Sequence, residues 1–154
     1  MSLFLLSFGL FGREEVNELA RISYSGIGDT LFQQLLGHNA QIQKNWNKLE
    51  QAFYQEGELD GDLKEQVRRT LAFGNGCKYC QAKGKAVLDQ KDSKTSLAIG
   101  FAELFLHHRS FINQATFDVL SQEFSETEIA ELCSFICFTT ASQMFGAIMD
   151  LQPE

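Results

Sequence analysis

A chain of 154 residues is long enough to close one hydrophobic core without staples, because a domain of this size buries roughly 70% of the surface its unfolded chain exposes. A single domain over residues 1–154 is expected. The formal charge of −7 excludes a general nucleic-acid binder, which needs a basic face to neutralise phosphates. One proline, Pro153, leaves long helices uninterrupted until the chain ends.

The first twelve residues are apolar but carry no positive n-region, and no small-residue cleavage site follows them cleanly. They also fall short of the roughly 20 apolar residues a membrane span needs. They are expected to pack on the core or on a neighbouring subunit, and the chain to be cytoplasmic, with no membrane partner. There thiols stay reduced, so a Cys-x-x-Cys pair points to redox chemistry or a metal more often than to a structural disulfide.

In chain order, 13–21 reads as a short helix with Val16, Leu19 and Ala20 on one side, and 23–28 as a loop with two glycines. Asp29 is placed to cap a short helix through Leu36, ended by Gly37. A longer helix over 39–55 repeats Ile42, Trp46, Leu49 and Phe53 at helical spacing. After a connector over 57–61, the next helix sets Leu63, Val67, Thr70 and Leu71 on one stripe and carries Glu65. Asn75-Gly76 then favours a tight turn, since both residues tolerate positive φ. A helix over 77–88, a polar loop over 90–93, a strongly apolar helix over 95–107 and a helix over 113–123 follow. Ser125 and Glu128 form a capping box, each satisfying an exposed N–H at the start of a last helix that runs to about residue 150. That helix is apolar on more than one face, as expected of one central to a core or buried in an interface. No stretch alternates with period two for long enough to make a strand, so the expected class is all-α.

Cys77-x-x-Cys80 is the one local motif with chemistry in it. It stands at the start of its helix, where unpaired backbone N–H groups favour thiolate over thiol. Lys78, Lys83, Lys85, Lys91 and Lys94 make the surroundings basic, opposed only by Asp89 and Asp92. The plain alternative is packing, since free cysteine is among the most buried residue types. Zinc is the rival, but it wants two further ligands. The remaining thiols, Cys133 and Cys137, sit four apart on a very apolar helix, which suits packing better. Glu65 lies twelve residues before Cys77, about three turns back at ~3.6 residues per turn. If the two helices fold back on each other, its carboxylate approaches the sulfurs. The competing expectation is an ordinary surface carboxylate paired with Arg68 or Arg69 at i+3 and i+4. His38, His107 and His108 have no helical register with the cysteines and read as loop or surface residues.

Glu65 followed by Cys77-x-x-Cys80 resembles the AhpD-like alkylhydroperoxidase branch of the carboxymuconolactone decarboxylase family. Leu36-Gly37-His38-Asn39 with the Trp46 helix is similar to the family's upstream part, and the run from Phe117 to Glu131 to its downstream part. The resemblance implies a helical domain with the Cys pair at the start of a central helix, assembling as a homo-oligomer, often a trimer or hexamer. It implies a dithiol that reduces hydroperoxides with no bound cofactor and no metal, re-reduced by a dithiol donor such as a lipoyl group on a partner protein. Cys80 matches the cysteine that meets peroxide, Cys77 the resolving cysteine and Glu65 the proton-relay carboxylate. The helix-dipole argument alone favours Cys77 as the more acidic thiol, so the two arguments disagree.

The family's histidine, four residues after the second cysteine, is Gly84 here. On a continuous helix Cys77, Cys80 and Gly84 share a face, which leaves a gap where an imidazole sits. Losing a general base costs about 10²- to 10⁴-fold in rate. Water bridging Glu65 to Cys80, or a lysine such as Lys83 lowering the thiol pKa, are two ways round the loss. A catalytically silent oligomeric binding or redox-sensing protein of the same fold is the alternative function. Lactone decarboxylation ranks third, because that branch of the family lacks the Cys pair.

Overall fold

Short polar side chains start the helices of this chain. The computed structural model describes residues 20–87 and 92–153. Among them every regular element is helical: α1 Leu31–Leu36, α2 Ala40–Gln55, α3 Gly61–Gly74, α4 Lys78–Gln81, α5 Ser93–His107, α6 Gln114–Leu120 and α7 Glu126–Ile148, with a 3-10 turn at Arg109–Phe111. Thr30, rather than Asp29, caps α1 by accepting from the Gln33 amide. Asn39 caps α2, Asp60 caps α3 and Asp92 caps α5, each satisfying an N–H that has no partner inside the helix. The Ser125–Glu128 capping box of α7 forms as its sequence indicates. The apolar N-terminus and most of the expected helix over 13–21 lie outside the described residues.

α3 packs against both α5 and α7. The core between them holds Leu63, Val67 and Leu71 from α3, Ala98, Phe101 and Ala102 from α5, and Leu132, Phe135 and Ile136 from α7, closed by Leu120 and Phe124. Burying each of the larger side chains stabilises the fold by about 1.5–3 kcal/mol relative to leaving it exposed. The apolar surround of α7 thus serves core packing on several sides. Among the described residues no helix is long and apolar enough to cross a membrane.

One element is shorter than expected. The helix over 77–88 stops after a single turn at Gln81. Gly84, at φ +87, takes the chain out of helical geometry, a conformation glycine adopts without steric cost.

Candidate thiol site

The site begins where α3 ends. Asn75 closes α3, and Gly76, at φ +68, turns the chain back. Asn75 Nδ2 donates to Gln143 Oε1 of α7 at 2.9 Å, and Gln143 Nε2 donates to the Arg68 carbonyl of α3 at 2.9 Å. Gln143 is buried, so this amide has exchanged water for two fixed partners and holds the turn against both helices. Cys77 follows as the N-cap of α4, its Sγ accepting from the Cys80 amide at 3.2 Å. Cys77 is fully buried, and its sulfur fits because α7 presents Gly146, where a Cβ would stand 3.1 Å from Sγ.

Cys77 and Cys80 form a disulfide. The second sulfur has a different environment from the first. Cys80 is half-buried and lines a cavity of about 200 Å³ together with Glu50 and Tyr54 of α2, Arg68 of α3, Lys83, and Phe138 of α7. One cysteine is therefore sealed and the other faces a space that admits a small molecule. With only one turn behind it, α4 supplies little of the dipole that argued for Cys77 as the more acidic thiol.

Glu65 is held by two arginines. Arg68 donates from Nε to Oε2 at 2.7 Å and from Nη2 to Oε1 at 2.9 Å, and Arg69 Nε donates to Oε1 at 2.8 Å. The Arg68 hydrogen bonds, opposed by partial burial and reinforced by Arg69, bring the Glu65 carboxyl down to about 2. Glu65 does not line the cavity. Its link to the cysteines runs through Arg68, whose Nη1 donates to the Cys80 carbonyl at 3.3 Å. The i+3 and i+4 ion pairs foreseen in the sequence thus form, and Arg68 stands between the carboxylate and the thiol site.

Among the described residues of the basic cluster, Lys83 alone lines the cavity. Lys78 turns outward to Asp150 at 3.4 Å, Lys85 sits 5.5 Å from the centre of the Phe73 ring, and Lys94 pairs with Glu128. Lys91 lies outside the described residues. Cys133 and Cys137 line a separate cavity with Phe101, Phe105 and Arg109, so among the described residues the four thiols do not gather into one set. Burial pushes the Cys133 thiol pKa up.

The fold is one seen in a peroxidase-related protein. The crystal structure of an uncharacterized peroxidase-related protein from Silicibacter sp. TM1040 is similar with a TM-score of 0.69, over 79% of this chain and 75% of that one, at 15% identity. At that identity the likeness is one of fold. No protein-family model and no curated protein matches the chain.

Gly84 does not lie where a continuous helix would have put it. It is outside α4 and does not line the cavity, and a Cβ there would have only Arg69 Nη1 nearby, at 3.8 Å. The expected shared face of Cys77, Cys80 and Gly84 is therefore corrected: positive φ at Gly84 breaks it. Gly84→His is accordingly expected to bring no gain in peroxide turnover with dihydrolipoamide. A side chain in the left-handed region is expected to cost about 1–2 kcal/mol, read in thermal unfolding. A tenfold gain in turnover would contradict this geometry.

The Glu65 pairing sets an acid limit. Its carboxyl titrates near 2 in the folded chain against an ordinary 4.5, so the pairing contributes in full above 4.5 and is lost as pH falls through about 2. Between those values wild type is expected to lose stability more steeply than Glu65→Gln in denaturant unfolding. Parallel pH slopes for the two proteins would show that the pairing is not formed in solution.

Residues that sequence reasoning did not single out complete the cavity. Arg68 was legible only as a partner of Glu65. Glu50 and Tyr54, four residues apart, share a face of α2 beside the Leu49–Phe53 stripe. Nothing local ties that face to the cysteines; the tertiary fold does.

Proposed function

We propose that the chain is a thiol-dependent peroxidase or disulfide oxidoreductase that reduces hydroperoxides through Cys80 and Cys77. The observation that carries this reading is the pairing of unlike sulfurs: Cys80 on a cavity, Cys77 sealed behind it and in disulfide reach. The Cys80 thiolate attacks the outer oxygen of the hydroperoxide. An S–O bond forms, the O–O bond breaks, and the alcohol leaves with a proton. Cys77 then attacks the Cys80 sulfur, forming the disulfide and releasing water. A dithiol donor, of which a lipoyl group is one chemical form, returns two electrons and two protons.

Arg68 and Lys83 bring positive charge to the cavity that Cys80 lines, which favours its thiolate. Glu65, assigned by resemblance as a proton relay, is better read as the group that fixes Arg68. A carboxyl near 2 binds a proton too weakly to act as a base at neutral pH. Assembly into a homo-oligomer belongs to the same reading, with Phe111, Met144 and Ile148 among the apolar side chains left exposed.

The test treats reduced protein with an alkyl hydroperoxide and measures intact mass and the Cys77–Cys80 crosslinked peptide. Loss of two hydrogens per chain is expected, followed by peroxide consumption beyond one equivalent when dihydrolipoamide is supplied. If no disulfide appears, the reading gives way to a binding protein with a silent dithiol, which the absence of any histidine from the cavity lining favours.

A further inference from the structure

We propose that Glu50 is the catalytic residue that carries the proton this reaction moves, taking it from the Cys80 thiol and returning it to the departing oxygen. The inference deepens the peroxidase reading and rests on it.

The cavity's own composition leads there. Glu50 is the one carboxylate among the described residues that line it with Cys80. Arg68 and Lys83 share the cavity, but an ammonium or a guanidinium carries donors and no acceptor. The Tyr54 hydroxyl, one turn along α2, stays protonated: burial, opposed by Arg68 and aided by Glu50 and Glu65, pushes it up to about 12. No histidine lines the space; His38 is bonded to the Ser23 carbonyl, and His107 and His108 stand at the end of α5. Glu65 is outside the cavity and committed to two arginines. Glu50 is exposed to water, yet the atoms around it desolvate its carboxyl enough to raise its pKa, against the pull of Lys83. A more basic carboxylate is a better proton carrier between a thiol and an alkoxide.

The step balances on these residues. The Glu50 carboxylate takes the S–H proton, and the Cys80 thiolate attacks the outer oxygen of ROOH. The S–O bond forms as the O–O bond breaks, and its electron pair goes to RO⁻. That oxygen takes the proton back from the Glu50 carboxyl, leaving Cys80–SOH, ROH and the carboxylate restored.

The charged and titratable groups facing Glu50 are Lys83, Arg68 of α3, Tyr54 of α2 and Tyr79 of α4; α1 and α7 contribute only uncharged side chains to the cavity. The reactive form then holds one proton between Glu50 and Cys80. Wild-type disulfide formation by peroxide is expected to give a bell-shaped pH profile, its limbs belonging to the pair. Glu50→Gln is expected to be about 10²-fold slower at neutral pH and to lose the alkaline fall, rising with thiolate alone. Glu50→Asp is expected to keep the bell and part of the rate. Iodoacetamide labelling of Cys80 at about pH 9, where a thiol of pKa ~8.5 ionises unaided, is expected to be unchanged in Glu50→Gln. A Glu50→Gln protein with wild-type rate, or with the bell intact, overturns the inference. So does an equal loss at every pH with labelling lost as well, which marks a structural role. Peroxide consumption that survives Cys80→Ser removes the peroxidase reading itself, a result separable from all of these.

Discussion

Cys80→Ser is expected to bring peroxide consumption down to that of buffer, whereas Cys77→Ser is expected to consume one equivalent per chain and stop. The asymmetry follows from burial. Cys80 faces a cavity of about 200 Å³, while Cys77 is fully buried and pressed against the backbone of α7 at Gly146. A hydroperoxide therefore meets only the first sulfur. In Cys77→Ser the attack on peroxide is intact, but a hydroxyl cannot resolve the sulfenic acid, so turnover halts with Cys80 oxidised and open to a sulfenic-acid trap. In Cys80→Ser the nucleophile is gone, and the remaining thiol of the pair has no access. The measurement is peroxide loss by reduced protein with no free thiol in solution, alongside trapping of the sulfenic acid. A reversed pattern, with the trapped oxygen on Cys77, would return the chemistry to the thiol that the helix-dipole argument favoured.

The parts of this arrangement that the sequence carried are local ones. The stripe of Leu63, Val67 and Leu71 is buried as its spacing requires, and Ser125 with Glu128 starts α7. Arg68 and Arg69 meet Glu65 because i+3 and i+4 neighbours share a helix face. What was not legible depends on contacts between distant elements or on one backbone angle. A glycine inside an otherwise helical pattern does not announce its φ, so Gly84 was read as a gap on a helix when it lies beyond the end of one. Glu50 lies thirty residues before Cys80 on a helix with no thiol motif, and only the cavity that both line joins them. The same blindness applies to charge. Glu65 was placed by its spacing to the cysteines, but its protonation behaviour is set by the arginines it touches.

Lys64 shows the stability side of that point, and Lys64→Met is expected to destabilise the chain by about 3–5 kcal/mol. Lys64 follows Leu63 on α3 and is only 2% exposed. Its Nζ stands 2.7 Å from Glu131 Oε1 of α7 and also donates to the Phe53 carbonyl of α2. The partner carboxylate accepts from the Glu58 and Leu59 amides at 2.6 and 3.2 Å. Burial pulls the Glu131 carboxyl up, but Lys64 and those amides outweigh it and hold it below the ordinary range. Gly57 lies over this clasp, and a Cβ there would fall 2.1 Å from Oε1 and push on the ion pair. Methionine preserves much of the volume and removes the cation, so the cost is that of a largely buried carboxylate left without its counter-charge. At about 2–4 °C per kcal/mol for a chain of this size, thermal unfolding is expected roughly 10 °C lower. The double variant Lys64→Met with Glu131→Leu is expected to recover part of the loss, because no unpaired charge remains, but not all of it, because the two amides lose their acceptor. Asn75 closes α3 eleven residues beyond Lys64, about 16 Å along the helix, so folded Lys64→Met is expected to keep the reactivity of Cys80. A single variant as stable as wild type would show that the ion pair contributes nothing net. A folded variant with an altered Cys80 rate would show instead that the clasp and the thiol site are coupled along α3 and α7.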